Sequence, residues 1–141
     1  MSVQFFFLSK NITVDHRTAL KQFVMQIFKQ NRKKLFSLNY IFCSDDYLLE
    51  INKTHLQHNY YTDIITFDLS DTPGEIIAEI YISIDRVRDN AGTLGVSIKQ
   101  ELHRVIFHGA LHLCGYKDKM QKHAKEMRVA EDRCLDLYFN P

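Results

Sequence analysis

The stretch "HGALHLCGYKD", residues 108–118, places two histidines four positions apart in an apolar segment that stops at Gly115. Upstream, "SIKQ" at 97–100 has the pattern of a helix capping box, and a glycine commonly follows the end of a helix. We therefore expect a helix from Ser97 to about Cys114. His108 and His112 share one side of it, because residues four apart lie on the same face of a helix.

Around this helix, alternating and 3.6-residue hydrophobic patterns predict the remaining elements of a single domain, residues 1–141. "DTPGE" at 71–75 supplies a short turn that joins the last two strands into an antiparallel hairpin, and Asp45 is expected to cap the second helix. The pattern predicts an α+β fold: a small four-stranded mixed sheet, about five helices mainly on one face, and a metal site at the end of a central helix. The predicted strands are 3–8, 37–44, 63–69 and 75–84, and the other predicted helices are 15–31, 45–56, 84–94 and 120–139.

The composition is that of an ordinary globular protein, with 45% hydrophobic and 25% charged residues. Three cysteines without a CxxC pair argue against a disulfide framework or a thiolate zinc ribbon and favour a reducing compartment. The N-terminal "MSVQFFFLSK" lacks a basic region and a cleavage site, so it is typical of a first strand, and we expect a cytoplasmic protein. With a net charge of only +1, any nucleic acid must be bound by a local basic patch.

The two histidines have the spacing with which a helix can hold one metal ion. Gly109 and Ala110 between them are expected to leave room for the ion and a substrate. Asp118 is our preferred third ligand, although its spacing from Gln121 also fits a cap of the last helix, and His123 is a rival. Three protein ligands leave the fourth position of a zinc ion open for water, as in catalytic sites. Imidazole and carboxylate also suit nickel, iron or manganese.

Other residues have weaker signals. Cys114 is expected to be a small buried residue, and His103 a surface residue. Gly109 occupies the place of the glutamate that zinc proteases carry after the first histidine, which counts against peptide hydrolysis. Candidate substrate contacts are His58 in a loop and basic residues near the site: Arg86, Arg88, Lys117 and Lys119, with Lys122, Arg32, Lys33 and Lys34 extending the track.

Three segments carry a family resemblance. "HGALHLCGYKD" (108–118) resembles the H-G-x-L-H-L-x-G-Y-D-H motif of the YbeY family of bacterial endoribonucleases. "TDIITF" (62–67) resembles its T-N/D-V/I-L/I-S/T-F segment, and "AEIYIS" (78–83) is similar to its G-D-I-x-I-S strand. The matches follow the family order over about residues 51–118.

The resemblance implies a zinc-dependent, single-strand-specific endoribonuclease of small-subunit ribosomal RNA maturation and ribosome quality control. It implies one zinc ion held by His108, His112 and residue 118, with catalysis through the metal. Two positions differ: aspartate replaces the third histidine at 118, and Leu56 stands near the place of a family arginine, so phosphate binding falls to other residues. Two alternatives stay open, a zinc hydrolase of another substrate class and a non-catalytic ribosome-biogenesis module in which the metal only joins two helices.

Overall fold

A computed structural model describes residues 2–141, which form four strands and five helices in one small α+β domain, as predicted. The bounds of α2 and α3 coincide with the predicted ones, and the others differ by up to three residues. The elements are β1 (Ser2–Phe7), α1 (Arg17–Gln30), β2 (Lys34–Cys43), α2 (Asp45–Leu56), β3 (Ile64–Asp68), β4 (Glu75–Ser83), α3 (Ile84–Leu94), α4 (Ile98–Leu113) and α5 (Gln121–Phe139).

The sheet is mixed, with strand order β1-β2-β4-β3. β1 and β2 are parallel, β2 and β4 are parallel, and β3 runs antiparallel to β4. The predicted hairpin of the last two strands is therefore confirmed, with Ile65 opposite Tyr81. β3 lies at one edge of the sheet, and its first residue, Ile64, lies next to α4.

The side chains of the sheet alternate between a thickly and a thinly covered face. Tyr40, Phe42 and Ile80 point into the main core, which also contains buried side chains of α1, α4 and α5. Cys43 and Ile65 have the opposite orientation and pack with Leu48 of α2 in a smaller cluster. Four of the helices therefore cover one face and α2 part of the other, in agreement with helices placed mainly on one side.

Helix α4 is the central helix, and it approaches the sheet very closely. A Cβ atom at Gly109 would lie 2.7 Å from Cδ1 of Ile80, and Ala110 is fully buried. The hydroxyl of Tyr40 donates a 2.8 Å hydrogen bond to the carbonyl of Ile106, which fixes the helix to the sheet. The expectation that Gly109 and Ala110 leave room for an ion is therefore wrong: their small size lets the helix pack on the sheet.

Three local expectations are corrected. Ser44, not Asp45, caps α2, because its hydroxyl accepts a hydrogen bond from the backbone N–H of Tyr47. His103 is buried rather than on the surface, and its ring stacks on Tyr138 with centroids 5.4 Å apart. In α5, the hydrophobic spacing predicts Leu137 on the same buried face as Met127 and Cys134, but Leu137 is 47% exposed.

None of the helices in residues 2–141 combines the length and the apolar character required to cross a membrane.

Candidate metal centre

The end of α4 brings His108 and Asp118 together. Gly115 has φ 108°, in the left-handed region that favours glycine, and its N–H donates to the carbonyl of His112. The chain reverses there, since the N–H of Tyr116 donates back to the carbonyl of Leu111. As a result Oδ2 of Asp118 lies 3.3 Å from Nε2 of His108.

This spacing fits two ligands of one metal ion. Bonds of 2.0–2.2 Å in a tetrahedral site place neighbouring ligand atoms about 3.4 Å apart. Asp118 is also free for this role, because α5 has Met120 at its N-cap and no side-chain cap hydrogen bond. The alternative that Asp118 only caps the last helix is therefore not what the structure shows.

His112 lies on the same side of α4 one turn later, and its side chain is exposed. Within residues 2–141 no three or more His, Cys, Asp or Glu side chains are already arranged to hold a metal ion. His108 and Asp118 thus form the preorganised part of the predicted ligand set, and His112 is adjacent to it. His123 is half-buried in α5 and is not among the described residues that line the neighbouring cleft.

The other nitrogen of His108 is bound to a buried carboxylate. Nδ1 of His108 lies 2.6 Å from Oε2 of Glu131, and Oε1 of Glu131 accepts a 3.0 Å hydrogen bond from Nη1 of Arg104. Burial lowers the pKa of His108, but the hydrogen bond to Glu131 and the charges of Glu131, Asp118 and Asp63 outweigh it, and the net shift is upward. Three carboxylates, those of Glu131, Asp118 and Asp63, therefore lie near this imidazole and favour a cation there.

A cleft of about 710 Å³ opens beside these residues, between the β3 edge, the loop after α2, and helices α4 and α5. Asp63, at its β3 end, has a pKa raised by burial and accepts a 3.3 Å hydrogen bond from Asn90. Glu101 is buried, and its Oε1 has no hydrogen-bond partner. The cleft is also lined by His58, Tyr60, Thr62, Arg104, His108, His112, Asp118, Lys119, Arg128 and Glu131.

The predicted substrate residues are distributed unevenly around this cleft. His58 and Lys119 line it, and the ring of His58 stacks on Tyr60 with centroids 5.1 Å apart. Lys117 is exposed nearby but is not among the lining residues. Arg86 pairs with Asp45 and Asp89 outside the cleft, with Nη2 to carboxylate distances of 3.0 and 2.8 Å.

Arg88 also lies outside the cleft, where its guanidinium group donates to the carbonyl of Asn11. The structure thus brings His58 and Lys119 to the cleft of the predicted metal ligands but not Arg86 or Arg88. Cys114 is buried as expected, burial raises its pKa to about 12, and it is not among the described residues that line the cleft.

Sequence reasoning missed five charged residues of the cleft. One of them had a readable signal: Glu131 falls among Met127 and Cys134 in the helical pattern, so a charged residue occupies a core position of α5. Such a residue needs a partner when it is buried. The partners come from α4, and that pairing is not visible in the local sequence. The missed residues are Asp63, Glu101, Arg104, Arg128 and Glu131.

Comparison with known proteins gives consistent matches along the chain. The family model described as "Endoribonuclease YbeY" matches residues 6–138. Two relatives with the same name are similar: one from Cytophaga hutchinsonii is 51% identical, covering 86% of this chain and 85% of the relative, and one from Flavobacterium psychrophilum is 44% identical, covering 93% and 96%. The solution structure of TM1509 from Thermotoga maritima has a TM-score of 0.65 and 26% identity, covering 97% of this chain and 89% of that one.

Proposed function

The chain belongs to the YbeY family of endoribonucleases, and we propose that it is a zinc-dependent, single-strand-specific endoribonuclease acting in the maturation of small-subunit ribosomal RNA and in ribosome quality control. The observation that carries the metal part of this proposal is the 3.3 Å separation of Nε2 of His108 and Oδ2 of Asp118 at the cleft. Its partners would be single-stranded RNA and the small ribosomal subunit, and its location the cytoplasm.

His108, His112 and Asp118 would hold the metal, with the exposed ring of His112 turning toward the other two. A bound zinc ion supplies a Lewis acid that polarises a phosphoryl oxygen or lowers the pKa of a water molecule. Asp63 lines the same cleft, and its half-buried carboxyl, whose pKa is raised, is suited to accept a proton there.

Arg128 and Lys119 would bind the phosphates that flank the cleaved bond. Arg104 also lines the cleft, but it is held by Glu131 and Asp132 at 3.0 and 2.7 Å. The Arg128 side chain is 53% exposed, and its contact with Glu131 is long, at 4.0 Å. It is therefore available to a phosphate, and it would take the place of the arginine that the family resemblance located near Leu56.

The stacked pair His58–Tyr60 lies at the rim of the cleft, where both side chains are exposed. Aromatic and imidazole faces of this kind stack on unpaired bases, and a base within a duplex cannot reach them. This arrangement supports a preference for single-stranded substrate.

The test compares the purified protein with His108→Ala and with His55→Ala, an exposed histidine that is not among the described cleft residues. Bound metal is measured, and each protein is incubated with single-stranded and with duplex RNA. The proposal predicts metal-dependent cleavage of single strands that is lost in His108→Ala and retained in His55→Ala. Bound metal without cleavage, together with a large fall in melting temperature on chelation, would contradict it and favour a non-catalytic module.

A further inference from the structure

The carboxylate of Glu131 divides its two oxygens between two side chains of α4. Oε1 accepts a hydrogen bond from Arg104 at 3.0 Å, and Oε2 lies 2.6 Å from Nδ1 of His108. The Glu131 side chain is 8% exposed, and it reaches across from α5 at a core position of that helix. A charge buried to this degree is costly unless donors surround it, and here both oxygens are engaged.

We propose that Glu131 is the positioning residue of the metal centre: it holds the neutral ring of His108 in the tautomer with the proton on Nδ1 and directs Nε2 toward Asp118. This inference rests on the proposed metal site. The two carboxylates lie at opposite nitrogens of one ring, Glu131 at Nδ1 and Asp118 at Nε2. A carboxylate that accepts from the outer nitrogen of a ligand imidazole fixes its orientation and raises its basicity.

A purely structural role would not require this arrangement. Arg104 already joins α4 to α5 through a second carboxylate, Asp132, at 2.7 Å. The bond from Glu131 to His108 is a second link between the two helices, and it also determines which nitrogen of His108 carries the proton. Arg104 in turn holds the Glu131 carboxylate in place. Arg104 therefore positions Glu131, and Glu131 positions His108.

The pair of acidic partners of Arg104 offers a matched comparison. Glu131→Gln keeps the shape of the side chain but removes the charge that faces His108. Asp132→Asn removes a charge from the same arginine without touching the histidine. The proposal predicts that zinc affinity, measured by competition with a chromophoric chelator, falls about 10- to 100-fold in Glu131→Gln. In Asp132→Asn it should stay within about twofold of the wild type.

A second measurement needs no metal and no variant. In alkaline buffer, nitrogen-15 NMR of the metal-free wild-type protein should show the neutral His108 ring with its proton on Nδ1. A ring protonated on Nε2 would overturn the proposal, as would equal zinc affinity of Glu131→Gln and the wild type. If His108→Ala binds zinc as tightly as the wild type, the proposed metal site itself fails, and the ring spectrum then reports only on the hydrogen bond between His108 and Glu131.

Discussion

The two sides of helix α4 perform different tasks. One side carries Ile106, Phe107 and Ala110, which are fully buried against the sheet and the neighbouring helices. The other carries Glu101, Arg104, His108 and His112, at spacings of three and four residues, and all four line the cleft. Stability and chemistry are therefore separated by about half a helical turn. We expect substitutions on the packed side to lower mainly the stability and substitutions on the cleft side to lower mainly the zinc affinity.

The largest expected effect is on the packed side. Phe107→Ala removes a fully buried ring that lies against Phe23 and Tyr138, and we expect the free energy of unfolding to fall by about 4 kcal/mol because a cavity remains. Urea denaturation of the metal-free protein measures this. Phe36→Ala, at an exposed site, is the control and should change stability by less than about 0.5 kcal/mol. Equal losses at the two positions would contradict the division.

On the cleft side, His112→Ala should lower zinc affinity while leaving stability nearly unchanged. The side chain is exposed, so the unfolding free energy of the metal-free protein should stay within about 0.5 kcal/mol of the wild type. Zinc affinity should fall by more than about 100-fold, since a direct ligand contributes more than its supporting partners. Chelator competition and urea titration of the same sample give both numbers. A stable variant with unchanged zinc affinity would remove His112 from the site.

Two glycine-to-alanine substitutions test how closely α4 packs on the sheet, because each adds a single methyl group. Gly109→Ala should lower the unfolding free energy by about 1 to 2 kcal/mol, because overpacking against the buried Ile80 exceeds the gain in helix propensity. Gly92→Ala in α3 meets no atom within 4 Å and should instead gain up to about 1 kcal/mol. Thermal and urea denaturation check the signs. If both variants are stabilised, α4 does not press on the sheet as described.

The smallest effect concerns Glu101, whose Oε1 is buried without a partner. Burial raises the pKa of this carboxyl in the folded state, so its favourable contribution is present below the unfolded pKa and is lost as pH rises through the folded pKa. Glu101→Gln should therefore be more stable than the wild type by about 1 kcal/mol at pH 8. The difference should shrink on acidification. Unfolding free energies measured from pH 4 to pH 8 test this, and a difference that grows toward acid would contradict it.

The fold was largely predictable because its elements are separated by strong local signals. Helix α3 ends at Gly95 in the left-handed region, and the capping hydroxyl of Ser97 accepts from the N–H of Gln100, so both boundaries were readable. The burial of His103 was not predictable in this way. Most residues of α4 are buried, and the spacing of His103 from His108 along the helix gives no information about Tyr138 of the last helix.

The candidate site was predictable only in the part that is local in sequence. His108, Asp118 and the turn at Gly115 lie within eleven residues, and the structure brings them together. Glu131 lies 23 residues from His108, and the two meet only because α5 packs antiparallel to the end of α4. Asp63 lies in the "TDIITF" segment, but its place at the cleft depends on the edge position of β3, which the local sequence does not show.

We propose that an ion is bound at the end of α4 and that Asp118 completes its site. The most direct measurement is the zinc content of the purified wild-type protein, Asp118→Ala and His123→Ala, by mass spectrometry of metals in matched samples. We expect one zinc ion per chain in the wild type and in His123→Ala, and a strongly reduced content in Asp118→Ala. Full occupancy in Asp118→Ala with loss in His123→Ala would contradict the account.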